Sequence, residues 1–250
     1  MRNVLITVVA LLLGSVLHSP ALAGDFTDAQ QKEIGQIVRD YLLAHPEVLQ
    51  ETSDALQKRE QDRQASQAKQ GIKANAEALL RSPLDFVAGN PDGKITVVEF
   101  FDYNCPYCKH AFPDVVTLIE NNNDVRVVLK EFPILGEGST FASKAAIAAK
   151  KQGKYLELHK AMFGVEGKVD AARVLSIAKS LGVDVEQLKR DMQAPDNDLP
   201  IKLDLDLANK LGINGTPTFI IGDQLSPGAV GLDVLKNQIA SVRQNGCDVC

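Results

Sequence analysis

The spacing of apolar residues changes several times along the chain, and each change marks an element. Thr27 and Gln30 stand in capping-box order. Ile34, Ile37, Val38, Tyr41 and Leu42 follow at i, i+3, i+4, i+7 and i+8, one face of an amphipathic helix over Phe26–Ala44. His45-Pro46 breaks that helix, and Pro46 suits the first turn of the next. From Glu47 to about Arg81 the pattern stays helical but thins. Val48, Leu49, Thr52 and Leu56 continue the stripe, Lys58 to Gln64 is polar all round, and Ala65, Ala68, Ile72, Ala76 and Leu79 resume it. A helix that is polar on every face bridges through solvent. The Phe26–Leu56 stripe therefore needs a partner, either its own domain packed as a helical hairpin or a second copy of the chain. The polar stretch, which holds it at a distance, favours the second copy.

Beyond Arg81 the pattern changes class. Ser82 to Gly93 reads as a linker and a short edge strand closed by the turn Asn90-Pro91-Asp92-Gly93. Lys94–Phe101 is a continuous apolar run, the mark of a strand covered on both faces. A helix from Cys105 to about Glu120, with Pro113 inside it, and a strand over Val125–Phe132 complete a β-α-β unit, expected to be parallel. Ser139 to about Asp198 is helical throughout: Thr140–Lys151, Tyr155–Phe163, Val169–Leu181 and Val185–Met192. A helix over Leu199–Leu211 then leads to Gly215-Thr216-Pro217-Thr218-Phe219-Ile220-Ile221, a strand that opens with proline, the one place a central strand tolerates it. A short antiparallel strand and a helix over Gly231–Val242 follow. The fold class is α/β with an all-helical insertion, preceded by a helical segment.

The first residues change the picture of where the protein works. Arg2, the apolar run Val4–Leu17 and the small-x-small site Ala21-Leu22-Ala23 form a secretory signal peptide over residues 1–23, too short to span a bilayer. No cysteine stands at the cleavage point to carry a lipid. The mature chain is expected to be exported to an oxidising compartment. The net charge is −5, and cleavage removes one further positive charge with Arg2. That balance argues against nucleic acid as a partner.

The candidate chemistry lies at Cys105-Pro106-Tyr107-Cys108. Pro106 fits a first helical turn, so Cys105 sits at a helix N-terminus, where unpaired N–H groups and the helix dipole favour a thiolate. Cys108 lies one turn on, within bridging reach. The pair suits reversible thiol–disulfide exchange, with Cys105 as nucleophile and Cys108 as resolving thiol. The same spacing also serves half of a zinc site, but the only other cysteines are Cys247 and Cys250, at the far end of the chain. Glu99 is the odd residue of its apolar strand. Buried there, its carboxyl would have a raised pKa and relay a proton to or from Cys108; on an edge it would face water. Lys130 is either its neighbour across the sheet or a solvated strand end. His45, His110 and His159 read as structural or solvated. No cofactor and no metal are expected.

The signal peptide, the Cys-Pro-Tyr-Cys helix start, Pro113, the helical insertion and Thr216-Pro217 together resemble the DsbA branch of the thioredoxin-fold proteins, over roughly Ser82 to Gln244. The Phe26–Arg81 extension, with His45-Pro46-Glu47-Val48 inside it, resembles the N-terminal oligomerisation segment of ScsC-type proteins. The whole chain is also similar to DsbA-like surface antigens of bacterial outer membranes. Cys-Pro-Tyr-Cys is the glutaredoxin tetrapeptide as well, but a glutaredoxin has neither export signal nor helical insertion. The organisation implied is a signal peptide (1–23), a helical oligomerisation segment (24–81), a DsbA-like thioredoxin domain (82–245, insertion about 139–198) and a cysteine-bearing tail (246–250).

The resemblance implies a periplasmic thiol–disulfide oxidoreductase, possessed of a cis-Pro217 facing the cysteine pair. Substrate contacts would come from the exposed backbone of Thr216 and from Pro106 and Tyr107, which border Cys105. Its partners would be proteins with thiols or disulfides, a membrane redox partner that recycles the pair, and further copies of itself. Isomerase and oxidase roles stay open. Two readings of other classes stand beside it: a copper-binding or copper-protective protein using soft thiolates, and an outer-membrane-associated surface antigen with a redox fold. Cys247 and Cys250 belong to no part of the resemblance.

Overall fold

The computed structural model describes residues 26–247 and 249, so the signal peptide and Cys250 lie outside the described residues. The chain divides into two compact units at Gln57/Lys58. The first holds α1 (Asp28–Ala44) and the start of α2 (Glu47–Ala74). Thr27 caps α1 in the expected box, its Oγ1 accepting from the Gln30 N–H while Gln30 Oε1 accepts from the Thr27 N–H. None of the residues of α1 is buried, and Ile34, Ile37, Val38 and Tyr41 all stand exposed. Propensity and capping account for this helix, while its apolar stripe is left without cover.

The second unit is a sheet with helices on both faces. After α2 come α3 (Ala76–Leu80), β1 (Phe86–Gly89), β2 (Ile95–Phe101), α4 (Pro106–Asn121) and β3 (Val125–Glu131). The insertion is α5 (Glu137–Lys150), α6 (Tyr155–Phe163), α7 (Ala171–Ser180) and α8 (Val185–Met192). Next are α9 (Leu199–Lys210), β4 (Thr218–Ile221), β5 (Gln224–Pro227) and α10 (Leu232–Asn245). The sheet order is β1-β3-β2-β4-β5. β2 pairs with β3 in parallel and with β4 antiparallel, and β1 and β5 are antiparallel edges. The central β2 is buried at all seven positions, which is why its sequence shows no alternation.

The two faces have separate cores. On one, Val97, Phe101, Val127, Leu129 and Phe219 pack with Val115 and Leu118 of α4, Leu235 and Ile239 of α10, and Ala145, Leu158, Val174 and Leu188 of the insertion. On the other, Val98, Phe100, Val128 and Ile220 pack with Ile72, Leu79 and Leu80 and with Leu207 and Ala208 of α9. The thin stripe at the end of α2 and in α3 is thus a core stripe, and the compact unit begins at Lys58, not at residue 82. The helical pattern over Glu47–Arg81 is interrupted at Asn75, whose side-chain Nδ2 donates to the Gly71 carbonyl at 2.8 Å.

Lys130 is neither a neighbour of Glu99 nor a solvated strand end. In the β2–β3 register Glu99 faces Leu129, while Lys130 faces Phe100, so the two-residue period sends Lys130 to the opposite side of the sheet. Lys130 is 1 % exposed there. Its ammonium donates to the Ala78 carbonyl at 2.7 Å and pairs with Asp85 and, at 3.2 Å, with Asp204. Burial raises the pKa of both carboxyls, Asp204 to about 7, and the lysine pulls against it. One cation thereby joins α3, the linker before β1, β3 and α9. Removing a partner from such a group leaves buried charge uncompensated. Lys130→Met is expected to lower the unfolding free energy by about 3–5 kcal/mol, read from urea denaturation; a loss below about 1 kcal/mol would show that the cluster contributes little.

Candidate active site

The turn between β2 and α4 carries the cysteines. Cys105 is the N-cap of α4 and Pro106 its first residue. Cys105 is 4 % exposed and Cys108 fully buried, so the expected order of access holds, although only a small part of Cys105 reaches solvent. Both are free thiols. The Thr216–Pro217 peptide bond is cis. The loop it shapes sets the Thr216 carbonyl 3.1 Å from Cys105 Sγ, accepting from the thiol. Pro217 itself is buried, Thr216 is half-buried, and Pro106 and Tyr107 are exposed, Tyr107 at 67 %. The structure thus gathers Cys105, Cys108, Pro106, Tyr107, Thr216 and Pro217 at one end of the sheet.

Glu99 joins them from below. It is buried at 3 % exposure on the face that packs α4. Burial alone pushes its pKa from near 4.5 to about 8, since water no longer solvates the carboxylate. The Cys108 thiol is raised well above the ordinary cysteine value, first by burial and then by the Glu99 charge, with the Asp102 backbone and Thr216 drawing it partly back. Each group therefore keeps its proton at neutral pH, and the two stand close enough to feel each other's charge.

Three further groups hold this site, and the sequence reading missed them. The buried carboxylate of Asp102 accepts four hydrogen bonds: from the N–H groups of Asn104, Ile134 and Leu135 at 2.7–2.9 Å and from Ser139 Oγ at 2.6 Å. Asn104 answers with bonds to Val169 N–H and carbonyl at 2.8 and 3.0 Å. The active-site turn is thereby tied to the start of the insertion. Gly138 is required in that join, because a Cβ there would stand 2.9 Å from the Val169 carbonyl. Tyr103, two residues before Cys105, gives its hydroxyl to Glu131 at 3.2 Å and meets His159 Nδ1 at 3.0 Å; Tyr155 donates to Glu131 at 2.7 Å. Glu131 is held at about 8 by burial, against the pull of the Ser143, Tyr155 and Tyr103 hydroxyls, and burial depresses His159 to about 3, leaving it neutral. His159 is structural, as expected. The only hint in the sequence was polar residues within apolar runs, a signal that names no partner.

Cys250 lies outside the described residues, while Cys247 lies elsewhere and is disulfide-bonded. It packs against Gly222, beyond the end of β4 opposite to Pro217. Val249 is buried in the core that contains Ile72 and Leu79.

Residues 96–240 match the DSBA-like thioredoxin domain family, and residues 30–63 match the copper resistance protein ScsC N-terminal domain. The chain belongs to the DSBA-like thioredoxin domain family. A thioredoxin-like oxidoreductase from Silicibacter pomeroyi is 48 % identical, with a TM-score of 0.66, covering 67 % of this chain and 97 % of its own. A linker-deleted variant of Proteus mirabilis ScsC is 30 % identical, with a TM-score of 0.67, over 89 % of this chain and 99 % of its own. A Na(+)/H(+) antiporter NhaA of Salinispora arenicola is 29 % identical over 159 residues, 63 % of this chain. The chain spans about a quarter of that relative's length, 24 %. Thiol–disulfide oxidoreductases are among the family's members, and Cys105 and Cys108 supply the Cys-x-x-Cys pair.

The raised Glu99 pKa has a consequence for stability. The folded state holds this proton more tightly than the unfolded chain does, so the associated stability is intact below pH 4.5 and is lost as pH rises through about 8. Glu131 acts in the same direction in any Glu99 variant. Glu99→Gln should therefore gain stability relative to the unaltered protein between pH 4.5 and 8, by up to a few kcal/mol, with no further gain above that range. Urea denaturation at several pH values reads this difference; a flat difference would mean that Glu99 is ionised in the fold at neutral pH.

Proposed function

We propose that this protein is an exported, periplasmic thiol–disulfide oxidoreductase that acts on protein substrates through Cys105 and Cys108, with disulfide isomerisation as its main task. The observation that carries the reading is the 3.1 Å contact between Cys105 Sγ and the Thr216 carbonyl. The reactive sulfur lies against a backbone group to which an extended substrate segment can add as a strand, so binding and reaction share one place.

In exchange, the Cys105 thiolate attacks one sulfur of a substrate disulfide. A Cys105–substrate bond forms, the substrate S–S bond breaks, and the other substrate sulfur leaves as a thiolate. That thiolate either attacks a third substrate sulfur, which reshuffles the disulfides, or Cys108 closes on Cys105 and releases the substrate reduced by two electrons. For closure Cys108 must lose its proton, and Glu99, beside it in a dry site, is the acceptor in the molecules whose carboxyl is ionised, a minority at neutral pH that grows as pH rises toward 8. In the opposite direction a substrate thiolate attacks Cys105 of the oxidised pair, and Glu99 returns the proton to the leaving Cys108. A membrane redox partner restores the pair to its working state.

The isomerase assignment rests on the N-terminal helices. The exposed stripe of α1 fits burial against the same stripe of another subunit, within the proposed oligomerisation segment 24–81. Several Cys105 sites would then surround a shared space, which suits repeated attack on wrong disulfides. Light scattering on the full mature chain should give a multiple of the chain mass, and residues 58–250 alone should give a single mass. Recovery of scrambled ribonuclease should fall several-fold on that truncation while oxidation of simple dithiols persists. A monomeric full chain, or unchanged ribonuclease recovery, would leave a plain oxidase. A second reading, Cu(I) binding by the Cys105/Cys108 thiolates, is favoured by the match of residues 30–63 to the copper resistance protein ScsC N-terminal domain. Cu(I) titration of the reduced protein checks it, and cell fractionation checks the periplasmic location against outer-membrane association.

A further inference from the structure

A groove of about 440 Å³ opens beside the nucleophile, lined by Asn104, Pro106, Lys109, Leu135, Gly167 and Lys168. Two of those six residues are lysines and none is acidic, in a chain whose net charge is −5. Asn104 and Pro106 flank Cys105 in the chain, so the groove borders the turn that carries the reacting sulfur. Lys109 is held in place there, its ammonium donating to the carbonyls of Val165 and Gly167 at 3.0 and 2.6 Å. Those carbonyls position its charge without neutralising it. The Arg173 guanidinium stands behind Gly167 and donates to the Glu166 carbonyl. Lys168 is exposed. Among the described residues, none of Lys109, Lys168 and Arg173 forms an ion pair with a carboxylate. The carboxylate of Asp170, next in the chain, accepts from the Arg173 backbone N–H as the cap of α7. Leu135 adds an apolar wall, pinned through its N–H to Asp102.

We infer that this groove selects cysteine-bearing polypeptide segments that carry a carboxylate next to the reacting cysteine. The inference rests on the disulfide-exchange reading and adds a substrate class to it. A segment whose cysteine meets Cys105 would bring its neighbouring side chain to the groove, where the fixed Lys109 charge and exposed Lys168 attract an acid and repel a base. The attraction acts on the encounter step, so it changes the rate of exchange and is screened by salt.

The test uses the oxidised full mature chain and two peptides of equal length, one with glutamates and one with lysines flanking a single cysteine. In the reaction the peptide thiolate bonds to Cys105 Sγ, the Cys105–Cys108 bond breaks, and Cys108 takes up a proton. Quenched mixtures analysed by mass give the rate for each peptide. The quantity compared is the glutamate-to-lysine rate ratio across variants, because differences in peptide thiol acidity cancel between variants. Lys168→Glu should lower this ratio by about threefold or more at low ionic strength, and about 0.5 M salt should shrink the difference. Lys236→Glu on exposed α10, distant in sequence and equal in charge change, should leave the ratio as in the unaltered protein. An unchanged ratio in Lys168→Glu, or an equal fall in Lys236→Glu, would overturn the selection while leaving exchange intact. No mixed disulfide with either peptide would overturn the exchange reading and the selection with it.

Discussion

The chemistry proposed for this protein depends on one buried carboxyl group set under one buried thiol. Glu99 lies on a strand with no solvent-facing position, so its charge has no water to stabilise it and its pKa rises to about 8. That same absence of water lifts the Cys108 thiol. A proton can then pass from Cys108 to Glu99 only in molecules whose Glu99 carboxyl is ionised, and back from a protonated Glu99 to a Cys108 thiolate. Cys105, one helical turn earlier, meets the first turn of α4 and the Thr216 carbonyl instead. Two cysteines of one tetrapeptide thus have different surroundings, and the proposed division between attacking and resolving sulfur rests on that difference.

Keeping such a pair in register demands a stiff turn, and the structure supplies it with polar groups in place of apolar ones. Asp102, Asn104 and Ser139 bind the turn to the insertion, and Tyr103 binds it to Glu131 and His159. These bonds join segments 28 to 65 residues apart in the chain, which is why the helical insertion bears on the chemistry although it carries no cysteine. The insertion also furnishes Gly167 and Lys168, which wall the groove beside Cys105.

Much of this was legible in the sequence for physical reasons. An uninterrupted apolar run announces a strand covered on both faces, and a glutamate inside it is either buried or on an edge facing water. Pro106 fixes a helix start, and Pro217 marks a strand start. What could not be read was direction across long distances. The two-residue period of β3 sends Lys130 away from Glu99, but only the β2–β3 register shows it. The thin Ile72 and Leu79 stripe carries no sign of its cover, which α9 and the sheet supply. Nothing in the sequence marks Asp102, whose four donors come from three separate segments.

The most direct test of this account is the titration of the Glu99 carboxyl itself in the reduced protein, followed by carbon-13 NMR with Glu99→Gln used to assign the signal. A midpoint near 8 is the result the account predicts. A midpoint near 4.5, the ordinary glutamate value, would mean that Glu99 is solvated in the fold and would remove it as the proton acceptor for Cys108.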